Sequence, residues 1–184
     1  MNSILEGPNP SLIVLDCDYT IWPFDCNKDV LPPFTKSPWG GVWDCYERSA
    51  DPYPEVPDIV ASLVKAGIPV AYASRNPSTE DIEELLIRIE ISPELSLWDA
   101  MPSHDYFHVY SSAGYGRGKA KHFDAIQKAT GIAYESMLFF DDLPDNIIHA
   151  KAQGITSVLV NEKTGLNWDA MNMGLEEFRK SRGN

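Results

Sequence analysis

The sequence predicts an α/β fold in which a parallel β-sheet carries helices on both faces. Five short apolar runs recur along the chain, and segments with amphipathic helical spacing separate them. Parallel strands need crossovers of this length, whereas antiparallel strands can be joined by tight turns. The 184 residues, 43% of them hydrophobic, are enough for one domain with a core and too few for two ordinary ones. We therefore expect a single domain over residues 1–184.

The first half of the chain is predicted to contain two strands and two helices. Residues 11–15 form a continuous apolar run that ends at an aspartate, which is typical of a buried parallel strand. Residues 57–66 are predicted to be a helix, with a proline in the first turn and a glycine directly after the last. A second strand is expected at residues 68–73. Residues 78–89 keep helical spacing behind a serine and an aspartate three residues apart, which is an N-cap pattern.

The second half repeats this alternation, with glycine or proline at several of the boundaries. Each apolar run is again separated from the next by a segment of helix length, so the same sheet is expected to continue. Strands are predicted at residues 106–110, 136–140 and 155–160, and helices at 119–130, 144–153 and 167–179.

The charge balance excludes two classes of partner. Lys and Arg total 15 against 27 Asp and Glu, which gives a net charge of −12. Binding to nucleic acid or to anionic lipid depends on Lys and Arg, so neither a nucleic acid nor a membrane is expected as a partner. The apolar runs are too short to span a bilayer, and residues 1–10 lack the basic start and apolar stretch of a secretory signal.

Cysteine usage indicates the compartment. Cys17, Cys26 and Cys45 are odd in number and form no C-x-x-C pair. This pattern argues against a disulfide framework and against a four-ligand zinc site. Free thiols indicate a reducing compartment, so a cytoplasmic location is expected, with the nucleus as the alternative.

Polar and ionisable residues follow the predicted strands, and ligands of open parallel sheets bind beyond these carboxyl ends. Taken alone, each group is typical of a turn, a helix cap or a solvated surface. Their occurrence in order at several strand and helix ends indicates a functional site instead. The residues are Asp16 and Asp18 after the first strand, Ser74 and Arg75 after the second, Lys119 at the start of a helix, and Asp141 and Asp142 after the fourth strand.

These residue types suit phosphoryl transfer. Clustered carboxylates repel one another unless a cation joins them, and Mg²⁺ is a hard cation that is often shared with substrate phosphate. One carboxylate can attack phosphorus and form an aspartyl-phosphate, while a second acts as general acid and then as general base. A serine hydroxyl and a lysine can bind the phosphoryl oxygens.

The spacing of Asp16 and Asp18 leaves two local geometries open. If the strand continued through Asp18, the period of two would place both side chains on one side. If the chain curls at the end of the strand, backbone groups could also reach the metal.

These motifs resemble those of the haloacid dehalogenase-like superfamily of hydrolases. Its first motif is an aspartate, a spacer, a second aspartate, a spacer and a threonine, which matches residues 16–20. Ser74, Lys119 and the Asp141-Asp142 pair match the second, third and fourth motifs. The magnesium-dependent phosphatase 1 family is a closer match still, over residues 11–180. Its opening signature resembles residues 18–24, and further segments in its order are 31–34, 53–57, 73–75, 119–123 and 139–142.

The resemblance implies a three-layer, Rossmann-like core and a Mg²⁺ cofactor. It implies Asp16 as the nucleophile and Asp18 as the general acid and base. It also implies Ser74 and Lys119 as phosphate-binding residues, with Arg75 in contact with the substrate. The implied metal ligands are Asp16, the backbone carbonyl of Asp18, Asp141 and, directly or through water, Asp142.

The resemblance also implies a site without a cap domain. Larger relatives carry a cap after the first or second motif, but residues 21–56 leave room only for a proline-rich flap, expected to be a hairpin that turns at residues 38–41. Residues 76–118 are expected to hold one helix, one strand and loops. An open site would admit bulky phosphomonoesters, and the family is associated with phosphotyrosine and with fructosamine 6-phosphates. The sequence does not choose between these substrates.

The flap is rich in aromatic residues, for which the sequence leaves two roles open. They are expected to form either a small satellite core or a platform for the substrate. The residues are Trp22, Phe24, Trp39, Trp43, Tyr46 and Tyr53.

Other phosphate and metal enzymes are excluded by spacing. No cysteine stands six positions before an arginine, as a cysteine-based tyrosine phosphatase requires. The Gly118-Lys119 pair lacks the first glycine and the following serine or threonine of a P-loop, and the four histidines show no H-E-x-x-H spacing. A dehalogenase of the same fold would have no use for Asp18 or for a cation.

The alternative function is a non-enzymatic receiver module, whose aspartate is phosphorylated and then held. Receivers also use Mg²⁺, a hydroxyl and a lysine, but their acceptor aspartate lies well inside the sequence, whereas Asp16 follows the first strand. An inactive binding module is a third hypothesis, although such a module would be expected to have lost part of the residue set. An aryl phosphate distinguishes them, because the enzyme turns over, the receiver gives one burst and the module is inert.

Overall fold

The computed structural model describes residues 7–111 and 118–183. The strands in chain order are β1 (Leu12–Leu15), β2 (Thr35–Lys36), β3 (Val42–Trp43), β4 (Val70–Ser74), β5 (Glu90–Ser92), β6 (Leu95–Ser96), β7 (Phe107–Val109), β8 (Met137–Asp141) and β9 (Thr156–Leu159). The α-helices are α1 (Val56–Lys65), α2 (Thr79–Arg88), α3 (Ala120–Thr130), α4 (Pro144–Ala152) and α5 (Trp168–Ser181).

The central sheet is parallel and has the strand order β7-β4-β1-β8-β9. In the middle of the sheet, Ile13 of β1 lies beside Val70 of β4 and Leu138 of β8. Every residue of β1, β4 and β8 is buried, because helices cover both faces of the sheet. The predicted fold class is therefore confirmed, and each of the five predicted strands lies in this sheet within two residues of its expected bounds.

Alternate side chains of β1 enter two separate hydrophobic cores, one on each face of the sheet. Ile13 and Leu15 belong to the larger core, which contains the apolar faces of α1, α2 and α5. Leu12 and Val14 belong to the smaller core, with α3 and α4. Two helical layers with the sheet between them make up the three-layer arrangement that the resemblance implied.

Several helix ends follow local sequence signals, but the start of α2 does not. The side chain of Asn167 caps α5 by accepting a hydrogen bond from the amide of Ala170 at 2.9 Å. Gly131 ends α3 in a left-handed conformation, with φ of +71°. Ser78 stands before α2 as expected, but its side chain does not cap the helix and its hydroxyl donates to Asn27 instead. In the described part of the chain, no helix has the length and hydrophobicity to cross a membrane.

The flap after β1 contains an antiparallel hairpin of β2 and β3, with its turn at residues 37–41. Its aromatic residues divide into two groups rather than sharing one role. Trp22, Phe24 and Tyr53 are buried and belong to the larger core, so they form neither a separate satellite core nor a platform. Trp39, Tyr46 and Trp43 are 94%, 68% and 37% exposed.

The segment between β4 and α3 holds more structure than the expected single helix and strand. Besides α2 and β7 it contains an antiparallel pair of β5 and β6, and short 3₁₀ turns at Trp98–Ala100 and His104–Tyr106. The prediction missed this pair because strands of two or three half-exposed residues are too short to show alternation. Residues 112–117, within the same segment, lie outside the described residues.

Candidate active site

The chain turns sharply after β1, and Asp16 and Asp18 consequently face different surroundings. The amide of Ile21 donates back to the carbonyl of Cys17 at 2.9 Å. Tyr19 adopts a left-handed conformation, with φ of +55°. Of the two geometries that the sequence left open, the structure has the curled one.

A buried lysine joins the ends of β1 and β8. The side chain of Lys119 is 1% exposed, and its Nζ lies 2.5 Å from Oδ1 of Asp16 and 2.6 Å from Oδ2 of Asp141. Lys119 occupies the N-cap position of α3, so this helix carries the positive charge to the carboxyl edge of the sheet. One cation therefore holds two carboxylates that are distant in sequence.

Three carboxylates converge at this edge of the sheet. Asp16, Asp141 and Asp142 each offer an oxygen, and these oxygens lie within 4.8 Å of one another. Oxygen donors of this charge fit a hard divalent cation such as Mg²⁺ and do not fit a soft, thiophilic metal. The carboxylate of Asp18 is not a member of this group, and the resemblance assigns its backbone carbonyl to the metal instead.

The electrostatics of this cluster also favour an added cation. Burial raises the pKa of Asp16 well above its ordinary value, although Lys119 opposes the shift. Burial and the neighbouring Asp141 raise the pKa of Asp142 to about 6. Burial alone would lower the pKa of Lys119, but the two carboxylates beside it raise that pKa above its usual value, so the lysine stays charged. A divalent cation at this point would stabilise the ionised carboxylates.

Within the described part of the chain, three N–H donors hold the carboxylate of Asp18. Trp22 Nε1 donates to Oδ1 at 2.8 Å, and the amide of Cys26 donates to the same oxygen at 3.1 Å. Asn76 Nδ2 donates to Oδ2 at 2.5 Å. Burial raises the pKa of Asp18, although these three hydrogen bonds oppose the shift. A carboxyl group with a raised pKa holds its proton more readily than an ordinary aspartate does.

Ser74 and Arg75 stand at the end of β4, beside the end of β1. Ser74 is buried, and its hydroxyl oxygen accepts the amide of Asn76 at 3.2 Å. Its carbonyl oxygen bonds to His122 Nε2 at 2.9 Å and accepts the amide of Tyr110 at 3.1 Å. Arg75 is exposed, so its guanidinium lies on the solvent side of the site.

A cavity of about 380 Å³ opens at this edge of the sheet. All of the predicted site residues are brought together around it, although their chemical roles stay predictions. Asp141 is fully buried and is joined to the cavity wall through Lys119. The predicted residues that line the cavity are Asp16, Asp18, Ser74, Arg75, Lys119 and Asp142.

Sequence reasoning gave no role to several polar residues that support the site. Asn146, 1% exposed on α4, donates through Nδ2 to both oxygens of Asp141 at 2.9 Å. A signal was present, because Asn146 stands beside Ile147 on the buried face of α4, where an unpaired amide would be costly. The roles of Trp22 and Asn76 have no comparable signal in the sequence.

Two comparisons of the sequence, one with models of protein families and one with individual proteins, each match a phosphatase. The model of the family described as Acid Phosphatase matches residues 8–181. Magnesium-dependent phosphatase 1 of Homo sapiens is 35% identical over 173 residues, which cover 94% of this chain and 89% of that protein. A HAD-like hydrolase superfamily protein of Schizosaccharomyces pombe is 29% identical over 160 residues, covering 86% of this chain and 90% of that protein.

Solved structures show the same fold. The N-terminal part of a Bacteroides fragilis protein, which contains a phosphatase domain and is complexed with Mg, has a TM-score of 0.62 at 22% identity and is matched over 92% of this chain and 41% of its own. A HAD-superfamily hydrolase from Ehrlichia chaffeensis has a TM-score of 0.60 at 9% identity, over 95% of this chain and 98% of its own. The family inferred from the motifs is therefore confirmed: the chain belongs to the acid phosphatase family of haloacid dehalogenase-like hydrolases and is a phosphatase of that family.

Proposed function

We propose that the protein hydrolyses phosphate monoesters with Mg²⁺, through an aspartyl-phosphate formed on Asp16. The observation that carries this proposal is the convergence of the buried Lys119 with the carboxylates of Asp16, Asp141 and Asp142 at an open cavity. A nucleophile, a fixed positive charge and a set of metal ligands then meet at one point. Phosphoryl transfer needs this combination of alignment and charge neutralisation.

Mg²⁺ would be held by Asp16, Asp141 and Asp142, with the backbone carbonyl of Asp18. When bound, the ion supplies positive charge that offsets the charge on the carboxylates and on the phosphoryl oxygens. Asn146 Nδ2 donates hydrogen bonds to both oxygens of Asp141 and so fixes the orientation of this carboxylate. Metal-ligating side chains are commonly oriented by such hydrogen bonds from neighbouring residues.

The phosphoryl group would be bound by the remaining cavity residues. Lys119 offers an ammonium and Ser74 a hydroxyl to the phosphoryl oxygens. Arg75, on the exposed side, would contact either the phosphate or the part of the substrate beyond it.

The reaction would proceed in two steps at Asp16. In the first step a carboxylate oxygen of Asp16 attacks phosphorus, the bond from phosphorus to the leaving oxygen breaks, and Asp18 donates a proton to that oxygen. In the second step Asp18 takes a proton from water, whose oxygen attacks phosphorus. The bond between phosphorus and the Asp16 oxygen then breaks, which releases phosphate and restores the carboxylate.

The substrate would be a phosphomonoester, either a small molecule or a phosphorylated protein side chain. Phosphotyrosine and phosphorylated sugars such as fructosamine 6-phosphates are the two classes that the family resemblance supports. The free thiols of Cys17, Cys26 and Cys45 support a cytoplasmic location, and the chain is proposed to act as one domain.

The test uses chelator-treated protein and p-nitrophenyl phosphate. We expect no turnover without metal, full recovery with Mg²⁺ and poor recovery with Ca²⁺, which prefers more ligands at longer distances. Asp16→Asn should abolish turnover with an unchanged circular dichroism spectrum, because it removes the nucleophile and keeps the shape. Asp124→Asn, an exposed aspartate on α3 outside the cavity, is the matched control and should keep full activity.

Each alternative gives a different result in the same assay. Activity undiminished in excess chelator would remove the metal from the proposal, and a near-normal rate in Asp16→Asn would remove the nucleophile. A single stoichiometric burst would identify a receiver. A panel of phosphotyrosine peptides, sugar phosphates and fructosamine phosphates, at one Mg²⁺ concentration, would then assign the substrate class.

A further inference from the structure

The three donors to Asp18 use up most of its capacity to accept hydrogen bonds. A carboxylate has about four lone-pair positions, two on each oxygen. Trp22 Nε1 and the Cys26 amide take both positions on Oδ1, and Asn76 Nδ2 takes one on Oδ2. Among the described residues, these donors leave the second position on Oδ2 for a proton carried by Asp18.

The indole of Trp22 is fixed by the core around it. Trp22 is fully buried, and its ring stacks on Phe24 with the centroids 5.6 Å apart and the planes 6° apart. The indole N–H can donate a hydrogen bond but cannot accept one, so it binds Asp18 only as a donor. Because the ring cannot move without disturbing the packing, the position of Oδ1 is fixed as well.

The amide of Asn76 is fixed by its other partners. Its Oδ1 accepts the amide of Ser78 at 2.9 Å, and its Nδ2 also donates to Asp25 at 3.2 Å. A reversed amide would place its oxygen against the carboxylates of Asp18 and Asp25 and its N–H groups against a backbone donor. The orientation in which Nδ2 faces Asp18 is thus the only one that satisfies all of these partners.

We infer that Trp22 and Asn76 are positioning residues that hold the carboxyl group of Asp18 so that Oδ2 delivers its proton to the leaving oxygen. This inference rests on the proposed function. As the bond between phosphorus and the leaving oxygen breaks, its electron pair passes to that oxygen, which takes the proton from Oδ2. In the hydrolytic step, the proton of the attacking water returns to Oδ2.

The inference predicts how the rate depends on the pKa of the leaving group. A leaving group of low pKa departs as an anion with little help, whereas one of high pKa needs a proton in the transition state. A misplaced Asp18 should therefore slow the phosphorylation of the enzyme by poor leaving groups much more than by good ones. Damage to folding alone would slow all of them by the same factor.

The experiment measures kcat/KM for a series of substituted phenyl phosphates, from p-nitrophenyl to unsubstituted phenyl, with Mg²⁺ present. Trp22→Phe keeps the apolar ring and removes the N–H donor. We expect it to lower kcat/KM about tenfold more for phenyl phosphate than for p-nitrophenyl phosphate, part of the factor of about 10²–10⁴ that general acids contribute. Trp98→Phe is the matched control, because Trp98 packs on Phe107 away from the cavity and should leave the series unchanged.

Asn76→Ser is the second variant, since it removes the donor to Oδ2 from the cavity side without opening the core. It should steepen the dependence on leaving group in the same way as Trp22→Phe. An unchanged dependence in a variant that keeps the wild-type circular dichroism spectrum and thermal midpoint would overturn the inference. Failure of the proposed function is distinguishable, because then the wild type would not turn over p-nitrophenyl phosphate or Asp16→Asn would.

Discussion

Lys119 is a buried cation that compensates two buried carboxylates, and this makes it important for stability as well as for the proposed reaction. Its Nζ lies 2.5 Å from Asp16 and 2.6 Å from Asp141. Without it, in the absence of a metal, two negative charges would be left close together and away from water. Removing one partner of a buried ion pair typically costs about 3–5 kcal/mol.

We therefore predict that Lys119→Met lowers the free energy of unfolding by about 3–5 kcal/mol when divalent cations are absent. It should also abolish phosphatase activity, since the fixed charge beside Asp16, the proposed nucleophile, is lost. Urea unfolding in chelator measures the first effect. Lys128→Met, on the exposed side of α3, is the control and should change stability by about 0.5 kcal/mol or less. Equal stability of Lys119→Met and the wild type would contradict the prediction.

His122 links the end of β4 to α3, and it does so as a neutral imidazole. Its Nε2 bonds to the carbonyl of Ser74 at 2.9 Å, and its ring stacks on Tyr110 at 4.3 Å between centroids. Burial, with the nearby charge of Lys119, lowers the pKa of His122 to about 4. The unfolded chain has the ordinary pKa of about 6.5, so it takes up the proton first as the pH falls.

From this difference we predict a loss of stability in acid that depends on His122. The contribution is fully present above pH 6.5 and is lost as the pH falls toward 4, to a limit of about 3 kcal/mol. His122→Gln keeps a donor at the same position and cannot take up a proton. Stability measured by urea unfolding between pH 7 and pH 4 should therefore fall less steeply in the variant. Parallel curves for both proteins would contradict the assigned role of His122.

The residues of the site differ in how far the sequence predicts them. Asp16, Ser74 and Asp141 could be predicted because each one ends an apolar run, and the ends of parallel strands meet at one edge. Trp22 could not, because an aromatic ring in a proline-rich stretch is equally consistent with a core or with a surface. Its role depends on one hydrogen bond across a tight turn, and the spacing of residues in the sequence does not indicate such a bond.

At the scale of elements, burial decides what could be predicted. The strands of the central sheet are buried on both faces, so each one is a continuous apolar run that stands out from the amphipathic helices around it. The pairs β2–β3 and β5–β6 lie outside this sheet and have two or three residues per strand. Only turn residues mark such a pair: residues 38–41 predict the turn of β2–β3, whereas the single Pro93 between β5 and β6 is too weak a signal to predict a hairpin.

The docking of α5 on the sheet requires a glycine in the middle of the helix. A Cβ on Gly174 would lie 2.8 Å from Cζ of Phe140 and 3.1 Å from Cγ2 of Val158. Glycine inside a helix costs about 1 kcal/mol relative to alanine, so its presence here is explained by the close approach of α5 to β8 and β9. The helical pattern predicts α5 itself but not this approach.

We predict that Gly174→Val lowers the free energy of unfolding by about 1–3 kcal/mol, because the added atoms overpack the contact between α5 and the sheet. Met173→Val introduces the same β-branched residue one position earlier, on a side chain that is 46% exposed, and should have a much smaller effect. Thermal or urea unfolding of the two variants measures the difference. A loss in Gly174→Val no larger than in Met173→Val would contradict the packing argument, because helix propensity alone favours valine over glycine and methionine over valine.

At the scale of the whole molecule, folding creates the anionic site by joining distant parts of the chain. Asp16 follows the first strand of the sheet, whereas Asp141 ends the fourth strand in chain order and Asp142 follows it. In the unfolded chain these carboxylates are far apart, and their oxygens come within 4.8 Å of one another only in the fold. A divalent cation that uses all three would therefore bind the folded state and not the unfolded one.

Linkage then predicts that Mg²⁺ stabilises the protein against unfolding. A ligand that binds only the folded state adds about 2.7 kcal/mol to the free energy of unfolding at a concentration of 100 times its Kd. The thermal midpoint should therefore rise with Mg²⁺ concentration, and above the Kd it should rise with the logarithm of that concentration. Part of any rise could come from general screening of a net charge of −12, and NaCl at matched ionic strength measures that part. Asp142→Asn removes one of the three carboxylates, so the extra rise produced by Mg²⁺ over NaCl should shrink in this variant. An equal rise with both salts would show that the ion acts on the net charge of the surface, and an equal extra rise in both proteins would show that Asp142 does not hold the ion.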